Sequence, residues 1–250
     1  MTQPCDLSAS EARRLIGSRA LSPVELTLSC LGRIETLNPT LNAIVTLVED
    51  RALEEAELAA KAVVRGDSLG LLHGLPVAIK DLHATEGVVT TYGSSFYQDH
   101  VPDEDAGIVA RIRSAGGIVI GKTNIPEMSI GANTINRLFG ATGNPYAPDL
   151  TCGGSSGGSA VAVATGMAPL ATGSDHGGSL RIPACFSGVV GHRATPGTVP
   201  NEGRTITQTN YSLQGPIARN VADVGLLLAT IAHRDRNSRR DPMTFPLDAG

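Results

Sequence analysis

The sequence predicts an α/β fold with a mixed, largely parallel sheet covered by helices on both faces. From about Gly74 onward, short apolar segments alternate with helical patterns, which is typical of parallel strands joined by helices. Aromatic residues make up 3% of the chain and tryptophan is absent, so the core must be aliphatic, as in buried parallel strands. A length of 250 residues fits one large domain better than two independent ones.

The first part of the chain, residues 1–70, is predicted to form a mainly helical region. Ser8 and Ser22 are each followed three residues later by a glutamate, which is the spacing of a capping box. Pro23 suits the first turn of the second helix, where a missing N–H is tolerated. We therefore expect one helix to begin after each of these serines.

Hydrophobic periodicity extends this prediction through the region. In the second helix, one buried stripe is expected to contain Val24, Leu28, Leu31 and Ile34. A short strand is predicted over residues 42–48. A third helix is predicted over residues 51–65 and ends at Gly66, because glycine is favoured just after a helix.

Residues 71–233 are predicted to form the core of the domain. The expected strands are residues 76–79, 117–121 and 168–172, with a further strand starting at 188–191. The expected helices are residues 105–115, 160–165 and 219–233. The last segment, residues 234–250, is charged, contains proline and lacks periodicity, so it is predicted to be an irregular tail.

Composition excludes several functional classes. The formal net charge of −4 gives no electrostatic reason to bind nucleic acid or an acidic membrane, and no apolar run reaches the length of a membrane span. The start of the sequence lacks the basic and apolar segments of a signal peptide. A cytoplasmic location is therefore expected.

The four cysteines show neither metal-ligand spacing nor a pairing motif, so reduced thiols are expected: Cys5, Cys30, Cys152 and Cys185. Cys152 and Cys185 lie near the serine-rich segments described next, which raises the question of a thiol nucleophile. We interpret both instead as small buried hydrophobic residues, which is the commoner role of free cysteine.

Two glycine- and serine-rich segments, residues 153–160 and 173–179, carry the chemistry of this sequence. Glycine lets the backbone approach a bound group closely, and a serine hydroxyl among free backbone N–H groups suits acyl transfer. Upstream, Lys80 follows the apolar run 77–79, where burial would lower its pKa and let it act as a base. Lysine replaces histidine in Ser-Lys variants of the serine hydrolase arrangement.

These residues resemble the amidase signature family, whose catalytic set is a serine, a second serine on a cis peptide bond, and a lysine. The resemblance extends from about residue 7 to 242 and includes the stretches 121–127, 143–145, 179–184 and 215–219. It implies that Ser179 is the nucleophile, Ser155 the proton relay and Lys80 the base. Residues 71–233 would then be the catalytic core.

The resemblance and the local sequence also predict the surroundings of the nucleophile. The backbone N–H groups of His176, Gly177, Gly178 and Ser179 are expected to form an oxyanion hole. Ser156, Asp175 and Arg181 are expected to orient the loop, with the last two paired with each other or with neighbours. His176 stands where the family more often has threonine or a small apolar residue.

The predicted function is hydrolysis of a small carboxylic acid amide to acid and ammonia or amine, through a seryl acyl-enzyme and without cofactor or metal. No direct contact with nucleic acid is expected, and assembly into a homo-oligomer stays open. Family members are about twice this length, so a truncated and inactive chain is one alternative. The amidotransferase A subunit, which delivers ammonia to misacylated tRNA, is another, although Pro126 and Ile182 favour a stand-alone amidase.

Two further interpretations are weaker. Residues 153–157 match the G-x-S-x-G nucleophile elbow, but an elbow needs a preceding strand, and Pro145 and Pro148 argue against one. A phosphate-binding P-loop fails because no Gly-Lys-Ser/Thr follows. Lys122 also follows a predicted strand, so only the family pattern selects Lys80 over it. We expect Lys122 to be structural or solvated.

Overall fold

The computed structural model describes residues 3–202 and 211–232. The predicted tail, 234–250, and the last residue of the final predicted helix lie outside this part of the chain. Elements are numbered in chain order, with strands β1 to β8 and α-helices α1 to α7.

The N-terminal region contains a short 3₁₀-helix at Pro4–Asp6, then α1 (Ala9–Gly17), α2 (Pro23–Leu41), β1 (Ile44–Leu47) and α3 (Glu49–Arg65). The capping box at Ser22 is complete, which confirms the predicted start of α2. Ser8 caps α1 through its hydroxyl, while the Glu11 side chain binds Arg14 instead of closing the box.

The buried face of α2 differs from the predicted stripe. Leu31 and Ile34 are buried, but Leu28 is 52% exposed and Val24 is only half-buried. The core instead takes Leu26 and Cys30, because the packed helix is rotated about its axis relative to the predicted face. The prediction for Leu28 was therefore wrong.

The central part of the chain alternates strands and helices as predicted. It contains β2 (Pro76–Lys80), α4 (Gly107–Ser114), β3 (Ile118–Thr123), α5 (Gly157–Ala164), β6 (Leu170–Asp175), α6 (Arg181–Ser187), β7 (Val190–Gly191), β8 (Leu213–Ala218) and α7 (Val221–Ile231). A small separate hairpin, β4 (Ile135–Asn136) with β5 (Gly140–Ala141), lies between β3 and α5. Short 3₁₀-helices occur at Ser95–Tyr97 and Glu127–Ser129.

Six strands form one mixed sheet in the order β1-β3-β2-β6-β8-β7. The strands β3, β2 and β6 are parallel neighbours, whereas β1 and β8 run antiparallel to theirs. Because β7 is antiparallel to β8, four strands point the same way, which agrees with a mixed, mostly parallel sheet. Every residue of β2, β3 and β6 is buried, so both faces of these strands are covered.

Strand β8 was not predicted, because Gly215 and Pro216 are poor strand residues. It nevertheless lies between β6 and β7, and Pro216 pairs with Thr172 of β6. On the other side, the Pro216 carbonyl accepts a hydrogen bond from His192 N–H, so the proline still contributes its acceptor to the sheet. Helix α5 begins three residues before its predicted start, and β6 extends to Asp175 beyond its predicted end.

Asp223 joins the first and last helices of the described chain. This fully buried carboxylate, in the first turn of α7, accepts hydrogen bonds from the backbone N–H groups of Ala9 and Ser10 at 2.9 and 2.8 Å. It also accepts the Ser10 hydroxyl at 2.7 Å. A carboxylate at a helix N-terminus satisfies otherwise unpaired donors and interacts favourably with the helix dipole.

We expect Asp223→Ala to lower the free energy of unfolding by about 2–3 kcal/mol, because it leaves buried donors at the start of α1 unpaired. Urea unfolding monitored by circular dichroism would measure this. The matched control is Ser10→Ala, which removes one hydroxyl and should cost less than about 1 kcal/mol. Equal stability of Asp223→Ala and the wild type would show that water replaces the carboxylate.

None of the helices in residues 3–202 and 211–232 is long and apolar enough to cross a membrane.

Candidate active site

Lys80 lies at the carboxyl end of β2, beside the parallel strand β6. Because parallel strands end at the same edge of a sheet, Ser174 and Asp175 at the end of β6 come close to it. The side chain of Lys80 is fully buried. Its backbone N–H donates to Thr172 Oγ1 at 2.9 Å, which fixes the end of β2 against β6.

Three serine hydroxyls surround the Lys80 amine. Its Nζ lies 2.8 Å from Ser155 Oγ, 2.9 Å from Ser156 Oγ and 2.8 Å from Ser174 Oγ. No carboxylate within the described ranges forms an ion pair with it. Hydroxyls can both donate and accept, so this cradle satisfies the nitrogen as an ammonium with three donors or as an amine with two.

Burial lowers the pKa of Lys80 to about 7, although the negative charge of Asp175 opposes this change. Desolvation disfavours the charged form of an amine, and no ion pair compensates here. A lysine with this pKa is partly neutral at physiological pH, as a general base must be.

Ser155 and Ser156 belong to the loop that leads into α5. The peptide bond between Gly154 and Ser155 is cis, as the resemblance implies. The helix that follows packs very closely on the sheet, since a Cβ on Gly158 would lie 2.4 Å from the backbone nitrogen of Asn124. Only glycine allows this approach, which brings the loop over the end of β2.

Ser179 lies in the loop between β6 and α6 and is half-buried. It lines a cleft of about 510 Å³ together with Ser155 and Ser174. In the described residues its hydroxyl has no hydrogen-bond partner, while its carbonyl accepts Ser156 N–H at 3.2 Å. The structure thus places Ser155 and Ser179 on the wall of one cleft, with the Lys80 amine directly behind Ser155 at 2.8 Å.

Asp175 holds the loop that carries Ser179. Its carboxylate accepts the backbone N–H groups of Gly178 at 2.9 Å and Leu180 at 3.1 Å. The Arg181 guanidinium donates to both oxygens at 3.0 Å, which confirms the predicted pairing. Burial alone would raise the pKa of Asp175, but these hydrogen bonds and the positive charge of Arg181 lower it to about 2.

The predicted oxyanion hole needs one correction. The Gly178 N–H points to Asp175 Oδ1 and is therefore not free to bind an oxyanion. In the described part of the chain, the N–H groups of His176, Gly177 and Ser179 have no acceptor. His176 and Gly177 also line the cleft, so three of the four predicted donors remain available.

Lys122, the internal comparison for Lys80, is fully buried rather than solvated. Its Nζ donates to the His83 carbonyl at 2.6 Å and to Thr90 Oγ1 at 2.7 Å, and it lies 3.6 Å from Asp81. Burial lowers its pKa to about 8 against the opposing charge of Asp81. Its amine contacts none of the three serines that hold Lys80, and its contacts are those of a structural residue.

The cysteines divide into two groups. Cys152 is buried, as predicted, and burial raises the pKa of its thiol to about 11, so it is a poor nucleophile. Cys5 and Cys30 are also buried. Cys185 is exposed on α6, so its prediction as a buried residue was wrong. It faces solvent because the helix turns Pro183 and Ala184 to the core.

Ser174 was not predicted as a site residue, and Ser156 contacts the lysine more directly than expected. The signal for Ser174 is its two-residue spacing from Thr172 on β6, since alternate strand residues point to one face. That signal becomes useful only once β2 and β6 are known to be neighbours. Within the described ranges, no cluster of three or more histidine, cysteine or acidic side chains could hold a metal ion.

The nucleophile elbow is not supported. It requires a strand directly before the serine, but residues 142–156 contain only an isolated bridge between Gly143 and Thr151. An elbow serine also needs a histidine to activate it, and the candidates in this sequence are His176, His192 and His233. His176 is exposed at the cleft, His192 is half-buried, and His233 lies outside the described residues. Neither His176 nor His192 hydrogen-bonds a serine hydroxyl in the described part of the chain.

Comparison with known proteins identifies amidases by family model, by sequence identity and by structure. The amidase family model matches residues 25–248. An acylamidase of Rhodococcus erythropolis is 40% identical over 239 residues, which is 96% of this chain and 50% of that protein. The A subunit of the glutamyl-tRNA(Gln) amidotransferase of Thermosynechococcus vestitus is 41% identical over 225 residues, or 90% of this chain and 47% of its own length.

The solved structures include a bacterial aryl acylamidase of the amidase signature family. It superimposes with a TM-score of 0.90 at 34% identity, covering 96% of this chain and 50% of that one. The chain therefore spans about half the length of the relatives it matches.

Proposed function

The chain belongs to the amidase signature family, and from this premise we propose that it hydrolyses a carboxylic acid amide to an acid and ammonia or an amine. The observation that carries the proposal is the buried Lys80 amine, which is held by three serine hydroxyls, two of them from residues that line a cleft also containing Ser179. Burying an amine without a counterion, as among the described residues here, costs desolvation free energy, and such perturbed groups cluster at functional sites.

In the proposed mechanism, neutral Lys80 accepts a proton from the Ser155 hydroxyl, which in turn accepts the proton of Ser179. Ser179 Oγ then attacks the carbonyl carbon of the amide. The negative charge that develops on the carbonyl oxygen is stabilised by the N–H groups of His176, Gly177 and Ser179, which have no acceptor among the described residues.

The second half of the reaction returns the proton. The relay protonates the leaving nitrogen, the C–N bond breaks, and an ester on Ser179 remains. Water, deprotonated through Ser155 and Lys80, then attacks the ester and releases the acid, which restores the three side chains. Every step uses side chains and backbone N–H groups of this chain together with water. The substrate is a small amide, and we propose no direct role for nucleic acid.

Release of ammonia from a panel of simple amides tests the proposal, with Ser179→Ala as the blank. Turnover of any amide by the wild type but not by the variant would support it. Turnover that survives in Ser179→Ala would overturn the assigned nucleophile.

The amidotransferase A subunit is the second candidate, because one such protein is 41% identical to this chain. Glutamine hydrolysis without turnover of simple amides would favour it. Against it, the cleft that contains Ser179 is also lined by the apolar side chain of Ile182.

We expect kcat/KM to rise with pH through about 7 and then to reach a plateau. The pKa of Lys80 is lowered to about 7, and only its unprotonated form accepts a proton, so activity is lost as pH falls below that value. A profile of amide hydrolysis between pH 5 and 9 measures this. A rate that still rises about tenfold per pH unit at pH 9, as a base with the ordinary lysine pKa of about 10.4 would give, would contradict a desolvated base.

A further inference from the structure

The cleft beside Ser179 has an apolar wall. Its hydrophobic lining consists of Leu82, Met128, Ile130, Ala132 and Ile182. Ile130 is 81% and Met128 45% exposed, so these side chains present apolar surface toward the opening. With a volume of about 510 Å³, the cleft is large enough for a small organic ligand.

The polar lining within the described residues consists mostly of hydroxyl groups. Apart from His176, the polar side chains are hydroxyls, namely Ser129, Ser155, Ser174, Ser179 and Ser212. No aspartate, glutamate, lysine or arginine side chain in the described ranges lines the cleft. Apart from His176, a charged substrate group would find no side chain of opposite charge on the described part of this wall.

Charged side chains near the cleft already have hydrogen-bond partners. Asp175 accepts hydrogen bonds from Arg181 and Arg193. Glu127 accepts the Ser94 hydroxyl at 2.7 Å. Lys80 lies behind the serines and contacts only their hydroxyls through its amine. Recruiting one of these groups to a ligand would break an existing interaction.

We propose that the cleft selects amides whose group next to the scissile carbonyl is apolar and uncharged, and that it discriminates against groups ending in a carboxylate or an ammonium. This proposal rests on the amide hydrolase function above and specifies its substrate class. An unpaired ion moved from water to such a wall loses its hydration without compensation. An apolar group of the same length gains burial instead. Free glutamine, which carries both ions, is disfavoured.

Three fluorophosphonates of equal chain length test this substrate preference. The rate at which each probe labels Ser179 reports how well its chain fits the cleft, even if amide turnover is slow. One carries an n-pentyl chain, the second a chain ending in a carboxylate, and the third a chain ending in an ammonium. The readout is the second-order rate of adduct formation by intact mass, relative to a methyl fluorophosphonate. We expect the pentyl probe to react at least about tenfold faster than either charged probe.

A pair of charge-adding variants sharpens the test. Ile130→Arg places a cation at an exposed position of the cleft wall. We expect it to lower the ratio of the labelling rate of the pentyl probe to that of the carboxylate probe several-fold. Leu28→Arg adds the same charge at a 52% exposed position outside the cleft and should leave the ratio unchanged. Both sites are exposed, so neither change disturbs the core.

The outcomes separate the two proposals. Equal rates for the three probes, or slow reaction of the carboxylate probe alone, would overturn the substrate class while leaving the hydrolase function intact. The second pattern would indicate repulsion by the net charge of −4 rather than selection by the cleft wall. Absence of any adduct with the methyl reference would overturn the proposed function itself.

Discussion

Replacing Ser179 with alanine is expected to lower amide hydrolysis by at least about 10⁴-fold, because removing the nucleophile of a serine hydrolase leaves only binding and the oxyanion donors. Its hydroxyl makes no hydrogen bond among the described residues, so the free energy of unfolding should stay within about 0.5 kcal/mol of the wild-type value. Initial rates of ammonia release and urea unfolding measure the two effects.

Ser212→Ala is the matched control for Ser179→Ala. Ser212 also lines the cleft, but it makes no contact with Lys80. We expect its turnover to stay within about tenfold of the wild-type rate, as for a residue outside the reacting set. If the two variants lost activity equally, the loss would reflect the shape of the cleft rather than a nucleophile.

Lys80→Met is expected to lower kcat by about 10²–10⁴-fold, the contribution of a positioned general base. Methionine keeps much of the side-chain volume and removes the amine from the three hydroxyls. The fold should tolerate the change, because a buried amine without a carboxylate partner costs desolvation free energy that methionine avoids. Steady-state kinetics and urea unfolding test both statements.

Lys122→Met is expected to lower stability rather than to remove the catalytic base, which is the reverse of the effect expected for Lys80→Met. Lys122 is buried 3.6 Å from Asp81, so its removal leaves a buried carboxylate unpaired. Breaking such a pair lowers the free energy of unfolding by about 3–5 kcal/mol. We expect the variant to lose stability, with any folded fraction keeping the pH dependence set by Lys80. A larger catalytic defect in folded Lys122→Met than in Lys80→Met would reassign the base.

Much of the fold follows from local rules in the sequence. The capping residue Ser22 fixes the start of α2, and Gly66 marks the end of α3 in a left-handed conformation. Strand β8 could not be predicted, because a strand containing Pro216 depends on pairing with β6 across a long sequence separation. Leu28 shows the same limit, since its helix periodicity fits several rotations and only tertiary packing selects one.

The candidate site divides in the same way. Lys80, Ser155 and Ser179 could be selected as candidates only through the resemblance of their motifs to the amidase signature family, since Lys122 also follows a predicted strand. Ser174 could not be selected, because its contact with Lys80 depends on the neighbouring positions of β2 and β6. The hydrogen bond from Gly178 N–H to Asp175 could not be predicted either, because it depends on the position of the Asp175 carboxylate in the folded loop.

Peptide mapping by mass spectrometry, after treatment with methyl fluorophosphonate, tests the central proposal most directly. We expect one adduct, located on Ser179 and absent from both Ser179→Ala and, at neutral pH, Lys80→Met within the same reaction time. An adduct on Ser155, or equal labelling of Lys80→Met and the wild type, would contradict the proposed division between nucleophile, relay and base. No adduct at all would favour an inactive chain that retains the amidase fold.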